Sequence, residues 1–179
     1  MRILFCLFLP LQLLALSELS IGAGYAMGNL HRQPEKYRVV PVYLRFGFYL
    51  NPYIGLACHR GTLQIALEPF YNQILKPKLE PEVGFDLFVA YRYPLTSLLS
   101  PYVEIGAGPM YLGLRTVAQG APGFNFLDQI GAGLQLFITP CCTLNIGYRF
   151  RHISHARLRG KPNLGINSNG IFIASSLIY

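Results

Sequence analysis

From Val42 onward, apolar residues fall at every second position in short segments, and this alternation constrains the fold more than any other feature of the chain. Val42, Leu44, Phe46 and Phe48 alternate with Tyr43, Arg45 and Gly47. The same period recurs at Leu63, Ile65 and Leu67, and at Phe85, Leu87, Val89 and Tyr91. It returns at Val103, Ile105 and Ala107, at Ile130, Ala132, Leu134 and Leu136, and at Leu144, Ile146, Tyr148 and Phe150. Gly, Pro and Asn divide the segments. A period of two puts alternate side chains on opposite faces of a strand. The last strand is expected over about residues 170–179, and a shorter eighth over about residues 52–58.

The chain is 52% hydrophobic and only 13% charged. A soluble domain carries about 25% charged residues, so much of this surface does not face water. Yet no stretch after the first 26 residues approaches the ~20 apolar residues of a membrane helix. A closed barrel reconciles the two facts, because it satisfies its backbone without long apolar runs. The expected fold is therefore all-β, an eight-stranded antiparallel transmembrane β-barrel of the outer-membrane type. The aromatic last residue of Ser176-Leu177-Ile178-Tyr179 supports this over a soluble β-sandwich. An eight-stranded barrel fills its lumen with side chains, which argues against a porin. Asp86, Glu104, Arg45, Arg92 and Arg149 are candidates to pair there.

The N-terminus reads as an export signal. Arg2 is the positive start, residues 3–16 are apolar apart from Pro10 and Gln12, and small residues follow. Residues 1–26 are assigned to the signal, with cleavage at Gly24-Tyr25-Ala26 or after Ala23. Residues 27–36 form a polar lead-in and 37–179 the barrel. Export to the bacterial outer membrane sets the net charge of +7 apart from nucleic acid, and no nucleic-acid motif is present.

The mature chain keeps Cys58, Cys141 and Cys142, an odd count without ligand spacing, which argues against a zinc site or a disulfide framework. Cys58 and the other two are expected in separate turns, without a bridge between them. His31 and His59 read as surface residues. Neither a metal nor a cofactor is called for.

The alternation runs on past Phe150. His152 and Ser154 thereby share the face of Leu144, Ile146, Tyr148 and Phe150, which is the lipid face. A polar pair facing lipid costs stability and calls for an explanation. With both termini in the periplasm, this strand runs outward and the pair lies near the outer leaflet. The loop beyond carries Arg157, Arg159 and Lys161, suited to phosphate or to interfacial anchoring.

Tyr148-Arg149-Phe150-Arg151-His152-Ile153-Ser154, followed by Pro162-Asn163-Leu164-Gly165-Ile166-Asn167, resembles the PagL-type lipid A 3-O-deacylases and their acyloxyacyl hydrolase relatives. Weaker matches are Glu68-Pro69-Phe70, Pro101 through Gly108, and Phe124-Asn125-Phe126 with Gln129 through Gly133. The resemblance implies an eight-stranded barrel with its active site on the outer wall. It implies Ser154 as nucleophile, His152 as general base and Asn163 as a contributor to the oxyanion hole. The family usually has Asn after the serine, where this chain has His155, which is expected to donate to the oxyanion in its place. The type enzyme has Glu where this chain has Asn167, which is in phase with Ile171, Ile173, Leu177 and Tyr179 on the lipid face and is expected to complete the catalytic set by accepting from the His152 ring and orienting it. The implied substrate is lipid A of lipopolysaccharide, with Arg157, Arg159 and Lys161 near its phosphates, and the implied assembly is a monomer or homodimer. A catalytically decayed structural or binding barrel and a phospholipase-like lipid esterase are the alternatives.

Overall fold

Eight strands, each hydrogen-bonded to the next in sequence, close into a barrel when the last pairs with the first. The structure is a computed structural model that describes residues 15–160 and 162–179. The strands are β1 (Glu18–Asn29), β2 (Lys36–Tyr49), β3 (Thr62–Lys76), β4 (Glu80–Arg92), β5 (Leu99–Leu112), β6 (Gly123–Thr139), β7 (Cys142–Ser154) and β8 (Ile166–Ile178). Every neighbouring pair is antiparallel. The first and last described residues lie at one end, where the Tyr179 N–H donates to the Ser17 carbonyl. We call this the terminal end. The β1–β2, β3–β4, β5–β6 and β7–β8 connections lie at the other, the loop end.

Alternation sorts the side chains as the sequence predicts. Ile105, Ile130 and Ile171 face outward and are exposed. The alternate positions fill the lumen, where Arg45 and Arg149 each bridge Glu68 and Glu104 at 2.6–2.8 Å. Arg92 binds Glu18, and Arg151 binds Glu82, each at 2.8 Å. Asp86 departs from the expected ion pairing, because it accepts from Gln129 Nε2 at 2.6 Å. Buried charges must be paired, and interlocked pairs leave no open channel. Towards the loop end the filling turns apolar, with Tyr37, Ile74, Leu112, Leu127, Ile153 and Ile166 all buried. The β5–β6 loop adds Leu114 and Ala118 to this cap.

Two expectations are corrected. The eighth strand is not residues 52–58, which lie in turns of the β2–β3 connection. It is β1, which occupies residues assigned above to the signal and the lead-in. The barrel thus begins at Glu18, not at residue 37. The cause is a shared composition. Ser20, Gly22 and Ala26 face a crowded lumen and must be small, and small residues are also what an export cleavage site displays. Cleavage after Ala23 or at 24–26 would remove half or more of a strand bonded to both β2 and β8. An export leader compatible with this barrel ends before Glu18. Arg2, Cys6 and the apolar run up to residue 14 lie outside the described residues.

Cys58, Cys141 and Cys142 are free thiols. Cys58 belongs to the β2–β3 connection and Cys141 to the β6–β7 turn, consistent with the absence of a bridge between them.

Candidate active site on the outer wall

β7 is regular up to Ser154, so the phase that turns Arg149, Arg151 and Ile153 inward turns His152 and Ser154 outward. On β8, Ile166, Ser168 and Gly170 face inward and Asn167 outward. The register sets Asn167 directly opposite His152. Their side chains meet, with His152 Nδ1 and Asn167 Oδ1 2.6 Å apart. The ring N–H donates to the amide carbonyl, which leaves Nε2 as the basic nitrogen. Ser154 stands two residues along the same face, about 6.7 Å away along the strand.

The β7–β8 loop holds this arrangement. Asn163 Oδ1 accepts the backbone N–H of His155 at 3.1 Å. That bond ties the amide group to the residue after Ser154 and leaves its NH₂ free to donate. Gly165 has a φ of +76°, and a Cβ there would stand 2.6 Å from His152 Cε1. Glycine is therefore required twice, for the left-handed backbone and for the close approach to the imidazole. Leu164 N–H donates to Ala118 O at 2.9 Å, which fastens the loop to its β5–β6 neighbour.

Other predicted residues fall elsewhere. The His155 ring turns inward, 1% exposed, and donates Nε2–H to Pro162 O at 2.8 Å. It is a brace for the loop and does not face the outer wall with Ser154. The Arg159 guanidinium donates to the carbonyls of Ala121 and Pro122 at 2.7 and 2.8 Å. It therefore latches two loops together. Arg157, with φ of +63°, is exposed beside them. Lys161 lies outside the described residues.

One residue escaped the sequence reading. Asp128 faces outward on β6, directly opposite His152 on the side away from Asn167. Directly opposed residues have Cβ atoms about 5 Å apart. The signal for it was present, since a carboxylate on a lipid-facing phase calls for the same explanation as His152. Its pairing with β7 depended on a register that the sequence does not state.

Below His152 the outer wall is grooved. One concavity of about 570 Å³ is lined by His152, Asp128, Phe150, Ile130, Leu87 and Ala107. It shares Val89, Ile105, Ile130 and Phe150 with a second, of about 590 Å³, that reaches Tyr91 and Tyr148. Small residues form the floor, namely Gly106, Ala107, Gly131 and Ala132. A polar cluster thus stands at the head of an apolar furrow running towards the terminal end.

This fold and this outward-facing set define a class: barrels of outer-membrane type that carry their chemistry-bearing side chains on the outer wall. The chain belongs to the lipid A 3-O-deacylase (PagL) family, whose family model matches residues 59–176. Among solved structures it resembles the outer membrane enzyme PagL, with a TM-score of 0.62 and 20% identity over 88% of this chain and 98% of that one. It also resembles Neisserial surface protein A, with a TM-score of 0.61 and 16% identity over 90% and 96% of the two chains. The N-terminal β-barrel domain of Pseudomonas aeruginosa OprF is a third, with a TM-score of 0.52 and 14% identity over 90% and 98%. A comparison with curated protein sequences gave no match.

Proposed function

We propose that this barrel is an outer-membrane serine esterase that removes the 3-O-linked acyl chain of lipid A. The observation that carries the reading is the 2.6 Å contact between His152 and Asn167 at the head of the outer-wall furrow. The lipid lies with an acyl chain along the furrow and its phosphates near Arg157, within the outer leaflet. His152 Nε2 takes the proton of Ser154 Oγ, which attacks the ester carbonyl. The Asn163 NH₂ donates to the oxyanion that forms. The tetrahedral intermediate collapses, and His152 returns its proton to the departing sugar oxygen. Water, deprotonated by the same ring, then releases the fatty acid from Ser154.

Asn167 fixes the tautomer of His152 but carries no charge. Asp128, on β6, offers a carboxylate on the flank of His152 away from Asn167. We assign it the support of the imidazolium that an amide cannot give. The reading needs no metal or cofactor. It includes an export leader ending before Glu18, and a monomer suffices because every assigned residue comes from one chain.

The test is mass spectrometry of lipid A from cells that express the wild type or Ser154→Ala. We expect loss of one ester-linked acyl chain with the wild type only. Identical acylation in both would sink the proposal. The uncharged Asn167 favours a second reading, a lipid-binding barrel without turnover. Labelling of Ser154 in folded protein by a serine-directed phosphonate excludes that reading, and failure to label supports it. Hydrolysis of phospholipid in preference to lipid A would reassign the enzyme as a phospholipase-like esterase.

A further inference from the structure

The wall across the barrel from Ser154 carries a second lipid-shaped feature. β3 stands four strands from β7 in either direction around the closed sheet. Near its loop end the register of β2 with β3 shifts, so that Val39 pairs with Ile74 but Arg38 pairs with Lys76. Leu75 is the extra residue. A bulge re-aims the side chain that follows it. Lys76 would share the lumen phase of Ile74 in a regular strand, and instead it stands exposed beside the outward Arg38. Two cations directly opposed across a strand pair repel, and here the backbone fixes them together. Lys36 lies two residues further along the same face of β2. The nearby carboxylate of Glu80 is taken by Lys78 at 2.6 Å.

Towards the terminal end from this pair, the same wall is grooved. A concavity of about 440 Å³ is lined by Ile21, Val42, Leu44, Pro69, Tyr71 and Val83. Val42 pairs with Tyr71, and Arg38 is four residues away along β2, about 13 Å towards the loop end. The order is that of a membrane lipid, with anion-binding groups at the leaflet surface and an apolar furrow beneath. The distribution of charge agrees. Among the described residues, Arg60 is the one exposed Lys or Arg at the terminal end, whereas the others, including Arg38, Lys76 and Arg157, ring the loop end.

We propose that the β1–β4 wall binds a second phosphorylated glycolipid without hydrolysing it, its phosphate between Arg38 and Lys76 and one acyl chain in the Val42–Tyr71–Val83 furrow. The outward positions of this wall around the furrow hold no serine–histidine pair, so the lipid is held and not cut. That the lipid is lipid A rests on the function proposed above; the site itself does not.

The experiment is native mass spectrometry of Ser154→Ala protein released from detergent with bis-phosphorylated lipid A. The comparison is with the same protein carrying Arg38→Gln and Lys76→Gln. We expect two bound lipids in the first and one in the second. The second affinity should fall roughly 30-fold, the effect of two surface cations against an anionic lipid. Lipid A stripped of phosphate should lose the same site. Val83→Trp, which fills the furrow and spares the cations, should also leave one lipid. Fatty-acid release by the double glutamine variant in an otherwise wild-type chain should be unchanged. Retention of two lipids by the double variant, or loss of both, overturns the inference whatever the hydrolysis assay shows. Absence of hydrolysis in the wild type, with a lipid still lost on removing Arg38 and Lys76, overturns the proposed function and leaves this site standing. Equal displacement of the second lipid by phosphatidylglycerol overturns the assignment to lipid A.

Discussion

The two outer walls of this barrel begin from the same physics and end differently. Both are apolar sheets with an open furrow and cations towards the loop end. The β6–β8 wall interrupts its apolar phase with Asp128, His152, Ser154 and Asn167, all within one band of the register. The β1–β4 wall instead sets a cation pair at its rim, through a bulge. Under the proposed function, the difference teaches that lipid recognition and lipid chemistry are separable on such a surface. Furrow and cations follow from being a barrel wall at a leaflet boundary. Reactivity needs a polar set at one level on adjacent strands, and a loop to hold it.

The largest test of this contrast is chemical. Ser154→Ala should lower fatty-acid release by at least about 10³-fold, in line with loss of an activated nucleophile. Val42→Ala on the other wall should leave turnover near wild type. Equal losses in a detergent-based deacylation assay would break the comparison.

Next comes the lumen, which braces both walls. Arg149 joins Glu68 of β3 to Glu104 of β5. Arg149→Met leaves two carboxylates under-compensated and should cost on the order of 3–5 kcal/mol in urea unfolding. Because the brace is shared, lipid binding at both walls should fail together as the protein unfolds. Selective loss at one wall would contradict a common support.

Within the reactive wall, Asn167→Ala should reduce turnover by about 10²-fold. That is less than the roughly 10⁴ seen when a triad acid becomes an amide and holds the histidine in the wrong tautomer, because alanine imposes no tautomer on His152. Asn167→Glu should raise turnover above wild type. A neutral result for both, read as kcat on lipid A micelles, would show that the 2.6 Å contact does not orient the ring. Gly165→Ala should cost about tenfold in kcat through displacement of His152, and roughly 1–2 kcal/mol in stability from its φ.

The smallest effect is at the terminal end of the β6–β8 wall, in the β6–β7 turn. The Cys141 thiol pKa is lowered by hydrogen bonding, first from the Thr139 hydroxyl and then from Cys142. A lowered thiol pKa raises the thiolate fraction, so Cys141 should alkylate at lower pH than a simple thiol. Thr139→Ala should move the profile back upward. A pH series of iodoacetamide labelling with peptide mapping reads both. An unchanged profile in Thr139→Ala would remove that hydroxyl as the cause.

The sequence by itself determined what period two can determine. Each residue's face follows from its neighbours two positions away, so the outward aim of His152, Ser154 and Asn167 was legible, as was the inward aim of Arg45, Arg149 and Glu104. The specific run around His152 pointed to the family. What lay beyond the sequence was register, because pairing joins residues far apart in the chain and is set by loop lengths and the whole sheet. Register brought Asn167 into contact with His152, set Asp128 on its other side and slipped by one residue to turn Lys76 beside Arg38. Only the closed sheet showed that residues 18–29 are a strand, since the small residues a crowded lumen needs look the same as those of a cleavage site. The inward aim of His155 continues the phase of Arg149, Arg151 and Ile153, and only the loop fold showed that its ring braces the Pro162 carbonyl, because beyond Ser154 the chain leaves the sheet and pairing no longer sets its partners.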